Sequence, residues 1–157
     1  MKGVVSSGSV YTSKAGGFAL QHGGNAIDAL IASQLAAHVC EPMLTGFGGA
    51  GMATIRFQGE VYTVDMFTTM PGIGSTRDTS KMESIVLDFG TTTQSFTVGE
   101  GAIAVPTVPT GLAFLHERFG SLPLQLLAKP AIELCARGFT VSKSCAYLLN
   151  LLRPIIN

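Results

Sequence analysis

"NAIDALIASQLAAHVCEPMLTGFGGAGMATIRF", residues 25–57, contains the order of elements from which the fold is predicted. Apolar residues recur in it every four positions, at Ile27, Ile31, Leu35 and Val39. This period predicts a helix, which Asn25 can cap and which ends before Pro42, because proline lacks the backbone donor that a continuing helix needs. Small residues on both sides predict packing against two neighbours, with Asp28 as a polar exception. MATIRF, after the glycines, predicts a strand.

The glycines between this helix and strand, in TGFGGAG (residues 45–51), fit the pattern G-x-G-x-x-G. That pattern can mark a loop that cradles the pyrophosphate of a dinucleotide, but the cradle needs a strand before the loop and a helix after it. Here the helix comes first, and Asp65, the acidic residue at a suitable distance, lies in the next predicted strand. The sequence therefore favours close approach of backbone segments over the nucleotide site of a stand-alone binding module.

Composition limits the classes of function. The 157 residues are enough for one domain with a core. Only 13% of them are charged, against about a quarter in ordinary soluble domains, which favours a well-buried part of a larger protein. Ten basic and ten acidic residues cancel, so no basic surface for nucleic acid is predicted. The histidines, His22, His38 and His116, have no zinc-type spacing with a cysteine, so no metal site is predicted.

Membrane and targeting segments are not predicted either. No run of about 18 apolar residues occurs, so we expect no membrane-spanning helix. The first residues include a lysine but no apolar leader region, which favours a cytoplasmic location if Met1 is the true start. The three cysteines, Cys40, Cys135 and Cys145, lie among apolar residues of predicted helices, so we expect them to be small buried hydrophobic residues.

Further elements flank the opening stretch. VYTVDM (residues 61–66) follows MATIRF after a short connection that contains glycine, so the two runs predict a β-hairpin. Upstream, Thr12 or Ser13 can cap a helix over Lys14–Gln21 that ends at Gly23. Downstream of the hairpin, the pattern weakens, and SIVLDFG fits a strand or a short helix equally well.

The C-terminal part of the chain is predicted to be helical. GAIAVPTVPT (residues 101–110) predicts extended chain, after which three helical segments follow. Their predicted N-caps are Thr110, Ser121 and Ser142. Pro130 either kinks the second segment or begins a new helix, and Gly138 ends that part.

Two blocks of the chain resemble the γ-glutamyltranspeptidase family. The block from Lys14 to Ile55 follows a pattern of G-G-N-A-x-D-A, a helix, and E-P-x-x-x-G-x-G-G-x-G. Its matching positions are Gly23, Gly24, Asn25, Ala26, Asp28, Ala29, Glu41, Pro42, Gly46, Gly48, Gly49 and Gly51. The block from Ala104 to Ser142 is similar to V-P-G-x-x-x-G-L-x-x-x-H-x-x-[FY]-G-x-L-P followed by A-I-x-L-A-x-x-G-F. The two blocks stand in the family's order and span most of the chain.

The resemblance implies an α+β fold, the αββα sandwich of N-terminal-nucleophile hydrolases. We expect it here in incomplete form, as a helical N-terminal part plus a core β-hairpin. Residues 1–157 are then a single partial domain, the N-terminal segment of the large subunit. The implied partners are the remainder of the same precursor, both the rest of the large subunit and the small subunit, and a small-molecule amide. No metal or organic cofactor is implied.

The resemblance also implies a mechanism. In the family, the precursor cleaves itself, and the freed N-terminal Thr of the small subunit attacks a γ-glutamyl amide such as that of glutathione. The acyl-enzyme then passes its acyl group to water or to an amino acid. This Thr is expected outside the chain, so no catalytic residue is predicted here and the segment alone is expected to be inactive. The triplet Thr91–Thr93 is disfavoured as a processing site, because Gln94 follows where the family's motif has His; a polar loop is the alternative.

One substrate-binding position of the family is expected within this chain. The family's motif D-x-R-E-x-A-P matches DMFTTMP, Asp65 to Pro71, which puts Phe67 at the position of the Arg and Thr68 at that of the Glu. In the family, the Arg holds the α-carboxylate of the glutamyl group, and a guanidinium suits this contact because it can donate two parallel hydrogen bonds. A phenyl ring cannot make that contact.

Three interpretations of Phe67 follow. Arg77 could fold back and restore γ-glutamyl binding. The site could instead accept a more apolar acyl group, as in a related amide acylase or amidohydrolase. Phe67 could also be a hydrophobic plug in a degenerate pocket. A non-catalytic stand-alone fragment is a separate alternative for the chain as a whole.

Overall fold

The computed structural model describes residues 3–74 and 82–156, so Arg77 lies outside the described residues. The elements in chain order are α1 (Val10–Gln21), α2 (Ala26–Cys40), β1 (Gly51–Phe57), β2 (Glu60–Met66), β3 (Met82–Asp88), β4 (Thr93–Gly99), a 3₁₀ turn (Glu100–Ala102), α3 (Val108–Phe119), α4 (Leu124–Arg137), α5 (Lys143–Leu151) and α6 (Arg153–Ile156). They fall into two units of contacting elements. The first contains α1 to α4 and the β1–β2 hairpin; the second contains the β3–β4 hairpin, the 3₁₀ turn, α5 and α6.

α1 begins one residue after its cap, Ser9. The Ser9 hydroxyl accepts a hydrogen bond from the N–H of Tyr11, and the Thr12 hydroxyl accepts one from the N–H of Ser9, each at 3.2 Å. Thr12 is therefore the reciprocal partner in a capping box and not the cap itself. The prediction of Thr12 or Ser13 as the cap is wrong, since α1 starts before either residue.

α2 is the central helix of the first unit. Asn25 caps it as predicted, because its Oδ1 accepts from the N–H groups of Ile27 at 2.8 Å and Asp28 at 3.0 Å. Besides Asp28, its buried residues are mostly small, namely Ile27, Ala29, Ile31, Ala32, Ala36, Ala37 and Cys40. α1 and α4 both pack against it, which confirms the predicted packing on two sides.

Asp28 is fully buried and joins α2 to the connection between α3 and α4. Its carboxylate accepts from the N–H of Asn25 at 2.8 Å, from the N–H and hydroxyl of Ser121 at 3.0 and 2.5 Å, and from the N–H of Leu122 at 3.2 Å. Asn25 adds a hydrogen bond from its Nδ2 to the carbonyl oxygen of Phe119, at 2.7 Å. A buried carboxylate is tolerated when its lone pairs are satisfied in this way.

These contacts lower the pKa of Asp28. Burial opposes ionisation and would by itself raise the pKa, but the hydroxyl of Ser121 and the N–H groups of Ser121, Asn25 and Leu122 outweigh it. The predicted role of Ser121 as the cap of α4 is wrong, because its hydroxyl is bound to Asp28 and α4 begins after Pro123.

β1 and β2 form the predicted antiparallel hairpin, in a register that pairs Gly51 with Met66 and Phe57 with Glu60. The inner face of the hairpin and the buried side of α3 share one core, which includes Ala53, Ile55, Met66, Val108, Leu112, Leu115 and Phe119. The rings of Phe57 and Phe119 meet edge to face, with 5.3 Å between centroids. The hairpin is therefore held by α3 as well as by its own hydrogen bonds.

The start of α3 lies directly against the end of β2. α3 begins at Val108, with Thr107 at the N-cap position and Pro109 in the first turn, where a missing N–H is harmless. The prediction of Thr110 as the cap is therefore wrong, and extended chain holds only between the 3₁₀ turn and α3. One turn into α3, a Cβ added at Gly111 would overlap the Met66 side chain, so this glycine is required by a contact.

α4 is one continuous helix through Pro130, so the alternative of a new helix at that residue is wrong. It ends as predicted at Gly138, whose φ of 74° favours glycine. Cys135 on α4 is exposed, which contradicts the expectation of burial, whereas the other two cysteines are buried. Ser142 caps α5 as predicted, because its hydroxyl accepts from the N–H of Cys145 at 3.1 Å.

The second unit contains a hairpin of which the sequence indicated only one strand. The first five residues of SIVLDFG belong to β3 and the last two to the turn after it, which decides for the strand. β4 pairs with β3 antiparallel, from Asp88 opposite Thr93 to Met82 opposite Gly99.

Of the triplet predicted as a polar loop, Thr91 and Thr92 lie in the turn between the strands, and Thr93 is the first residue of β4. β4 (TQSFTVG) is mostly polar and exposed. Apolar residues alternate in it only at Phe96 and Val98, which is too short a run to predict a strand.

We expect Gly111→Ala to destabilise the protein by about 1–3 kcal/mol, because the added methyl group overpacks against Met66. Gly17→Ala is the matched control: Gly17 also lies inside a helix, but nothing lies within 4 Å of an added Cβ. That change should stabilise the protein by about 0.5–1 kcal/mol through helix propensity. Urea unfolding measures both. Equal effects of the two variants would contradict the contact.

We expect the carboxylate of Asp28 to stabilise the fold fully above its unfolded pKa of about 3.9. Its folded pKa is lowered, so this stabilisation is lost as the pH falls from about 4 through the folded value. Asp28→Asn should remove that part of the pH dependence and cost about 1–3 kcal/mol at pH 7, since a donor replaces an acceptor. Urea unfolding at several pH values measures this. If the free energy of unfolding of the variant fell with pH below about 4 as steeply as that of the wild type, the prediction would be refuted.

Candidate functional site

Phe67 follows the last residue of β2 and is 60% exposed. Its N–H donates to Oδ1 of Asp65 at 2.8 Å, and its carbonyl oxygen accepts from the hydroxyl of Thr107 at 3.0 Å. The same hydroxyl lies 2.7 Å from the carbonyl oxygen of Met66. Thr68 comes next and is partly buried. The backbone at Phe67 is thus held on both sides while its ring is largely open to solvent.

A cavity of about 190 Å³ lies beside this strand end. Its apolar lining comes from α2, the ends of the hairpin strands and α3, and includes Leu30, Met66, Val108 and Leu112. Among the described residues, Gln34 and Thr45 are the polar side chains that line it. No charged side chain of the described residues lines it, so the cavity suits a small group that is mainly apolar.

Gln34 links α2 to the glycine-containing loop. Its Nε2 lies 2.7 Å from Oγ1 of Thr45 and 2.9 Å from Nε2 of His38. The His38 ring meets the ring of Phe47 edge to face, with 4.4 Å between centroids. Nδ1 of His38 is buried and has no hydrogen-bond partner among the described residues, and burial lowers the pKa of this histidine.

The sequence indicates part of this hydrogen-bonded network through the spacing of Gln34 and His38, which none of the predictions from sequence used. Gln34 and His38 stand four residues apart, and a spacing of four puts two side chains on the same face of a helix. They interrupt an otherwise small and apolar helix just before the loop. Polar residues at this spacing indicate a hydrogen-bonded pair on α2; the third member, Thr45, comes from the loop and required the structure.

Close approach of backbone segments was predicted for the glycines of the loop, and the structure shows it at only some of them. No described atom outside the neighbouring residues lies within 4 Å of a Cβ added at Gly46 or Gly48, so close backbone approach is wrong for these two. At Gly49 the approach is real: its N–H donates to the carbonyl oxygen of Gly46 at 3.0 Å, and an added Cβ would lie 3.2 Å from that oxygen. The loop thus contains one tight turn.

The order of elements around the loop is helix, loop, strand, as the sequence predicted, which is the reverse of a dinucleotide cradle. Within residues 3–74 and 82–156, no three His, Cys, Asp or Glu side chains are grouped as metal ligands would be. Among the helices of these residues, none combines the length and the apolar composition that a membrane-spanning helix needs.

The loop–hairpin–helix arrangement around Phe67 lies in a stretch that matches a known family. The family model described as gamma-glutamyltranspeptidase matches residues 12–156. The chain belongs to the γ-glutamyltranspeptidase family. This confirms the predicted membership.

Relatives within the family have different names. Acylase ACY 1 proenzyme of Pseudomonas sp. (strain V22) is 37% identical over 163 residues, which cover 95% of this chain and 26% of that protein. Glutathione hydrolase proenzyme of Pseudomonas aeruginosa is 33% identical over 142 residues, which cover 89% of this chain and 24% of that protein. The chain therefore spans about a quarter of the length of these curated relatives.

The crystal structure of Helicobacter pylori gamma-glutamyltranspeptidase superposes with a TM-score of 0.78, at 28% identity, over 98% of this chain and 43% of that chain. The fold prediction is confirmed: the chain is an incomplete α+β part of an N-terminal-nucleophile hydrolase. The predicted substrate-binding roles of Phe67 and Thr68 remain predictions.

We expect Thr45→Val to loosen the loop, because valine keeps the shape of threonine but cannot bond to Gln34. Losing one net hydrogen bond of about 1 kcal/mol should speed amide hydrogen exchange in the loop, Thr45 to Ala50, about fivefold. The control is Thr54→Val, on the exposed face of β1, which should leave the loop unchanged. Equal exchange in both variants would show that the Gln34 contact does not hold the loop.

Proposed function

We propose that residues 1–157 are the N-terminal segment of a larger precursor that becomes an amide-cleaving acyl-transfer enzyme. The relatives support this proposal, because they are named proenzymes and the chain matches only about a quarter of their length. The catalytic nucleophile is then the N-terminal Thr of a second subunit outside this chain, and the segment alone is inactive. Its partners are the remaining parts of the same precursor.

The reaction proposed is acyl transfer through an ester. The Thr hydroxyl oxygen attacks the amide carbonyl carbon, and the hydroxyl proton passes by way of the α-amine of that Thr to the leaving nitrogen. The C–N bond breaks and an acyl–oxygen ester forms. Water or an amine then attacks the ester, which releases the acid or a new amide and restores the Thr hydroxyl.

Within this reaction, the segment is proposed to contribute to recognition of the acyl group. The exposed ring of Phe67 carries the argument, because it stands at the position where the family's motif has a carboxylate-binding Arg. A phenyl ring offers neither charge nor donors to a carboxylate. We therefore propose an acyl donor that is apolar at this contact, with Thr68 as a neighbouring contact. The apolar cavity of about 190 Å³ beside Met66 supports this proposal.

A γ-glutamyl donor is the second candidate. It is favoured by the 33% identity to the glutathione hydrolase proenzyme of Pseudomonas aeruginosa. This candidate requires that another cation binds the α-carboxylate in place of Phe67. The two candidates therefore differ in a property of the substrate that can be measured directly.

The test compares kcat/KM of the full-length, self-cleaved protein for anilides of an apolar acid, such as phenylacetic acid, and of γ-glutamate. The wild type should prefer the apolar donor. Phe67→Arg should shift the preference towards γ-glutamate roughly tenfold to a hundredfold, as a charge-assisted hydrogen bond of about 1.5–3 kcal/mol would do. Phe67→Leu is the control, because it removes the ring without adding charge and should not improve γ-glutamyl cleavage. A wild type that prefers the γ-glutamyl anilide would overturn the apolar-donor proposal.

A further inference from the structure

Thr107 occupies the N-cap position of α3 without capping it. Its side chain forms no capping hydrogen bond, and its backbone angles, φ −111° and ψ −13°, are not the extended ones found at the caps Ser9 and Asn25. Pro109 stands in the first turn and has no N–H, so it offers no donor to a capping oxygen. The hydroxyl of Thr107 is therefore available for another contact.

That hydroxyl is directed at the end of β2, about 40 residues earlier in the chain. It lies 2.7 Å from the carbonyl oxygen of Met66 and 3.0 Å from that of Phe67. A hydroxyl has a single proton to donate, so the two carbonyls share it. On the other side, Asp65 accepts the N–H of Phe67 at 2.8 Å.

Both sides of this contact between Thr107 and the end of β2 are held in place by neighbouring residues. Met66 is buried against the first turns of α3, where Gly111 leaves room for its side chain. The carbonyl oxygen of Thr107 accepts the N–H of Gly111 at 2.9 Å, so Thr107 is fixed to the helix. The ring of Phe67, by contrast, is mostly exposed. Backbone hydrogen bonds, and not packing of the ring, therefore determine where Phe67 stands.

We infer that Thr107 is a positioning residue, whose hydroxyl holds the Phe67 backbone and thereby sets the preference among acyl donors. This inference rests on the proposed function for its effect on catalysis. The hydroxyl contacts the two peptide groups on either side of Phe67, through the carbonyl oxygens of Met66 and Phe67, and its proposed effect on the substrate passes through that backbone. Its loss is expected to let Phe67 move and so to weaken discrimination between donors.

The first test is kinetic and uses the full-length, self-cleaved protein with the apolar and γ-glutamyl anilides. Thr107→Val keeps the shape of the side chain and removes the hydroxyl, and it should reduce the selectivity ratio about fivefold, mainly through KM for the preferred donor. Thr107→Ser keeps the hydroxyl and should restore most of the selectivity. In a Phe67→Ala background, Thr107→Val should have no further effect on the ratio. A merely structural role would lower kcat/KM for both donors equally and in both backgrounds.

The second test does not depend on activity. Hydrogen exchange of the amide of Phe67, whose N–H donates to Asp65, is measured by mass spectrometry in the wild type, Thr107→Val and Thr107→Ser. Exchange should rise about fivefold in the valine variant, as expected for one net hydrogen bond, and stay near the wild-type rate in the serine variant. The amides of α2 serve as the internal reference.

The two tests separate the inference from the function on which it rests. Unchanged exchange in Thr107→Val overturns the inference, even if the wild type prefers apolar donors. Raised exchange without a change in the selectivity ratio also overturns it, because the hydroxyl would then hold the backbone without affecting the donor. Raised exchange, an altered ratio and a wild type that prefers γ-glutamyl anilide uphold the positioning role and reject the apolar donor.

Discussion

The buried carboxylate of Asp28 is the interaction on which the first unit depends. It accepts hydrogen bonds from the N-terminal turn of α2 and from Ser121 and Leu122, 93 and 94 residues later in the chain. An apolar side chain at this place would leave those N–H groups buried without an acceptor, which costs more than a typical hydrogen bond contributes. Burial makes the charge expensive, and the donors make it stable, so the carboxylate specifies one arrangement of α2 against the end of α3 and the start of α4.

Fixing the end of α3 also fixes its beginning. From Phe119, which receives a hydrogen bond from Asn25, the helix runs back to Val108 and Thr107, directly against the end of β2. Gly111 leaves space for Met66 at this junction, and the next residue, Phe67, emerges into solvent on a backbone that is bonded on both sides. An uncharged, exposed ring thus stands at the end of β2, near a cavity that few polar side chains line. The proposed preference for an apolar acyl donor rests on this arrangement.

The sequence predicted those parts of the fold whose signals are local. We could predict α2, its Asn25 cap and the β1–β2 hairpin from the sequence. Each of them depends on the period of apolar residues, or on turn and cap residues, within a few neighbouring positions. Ser9, β4 and Ser121 were misread or missed for different reasons. Ser9 and Thr12 are both good capping residues, and only the geometry of the capping box tells them apart. β4 is stabilised by pairing with β3 and carries little apolar pattern of its own. Ser121 is of a residue type that often caps helices, but in the structure its hydroxyl donates to the carboxylate of Asp28.

The sequence by itself determined family membership and the helix–loop–hairpin order. It also predicts Phe67 and Thr68 at the family's substrate-binding motif, and their roles remain predictions. Predictions of this kind need only the types of residue and their spacing along the chain. Only the tertiary structure decided that Asp28 is a satisfied buried carboxylate, that Gln34 bonds to Thr45, and that Thr107 holds the backbone of Phe67. Each of the latter joins side chains to groups that are distant in sequence or in a separate element. Such hydrogen bonds form only after the hydrophobic core has brought their partners within about 3 Å of each other, and no local pattern encodes that approach.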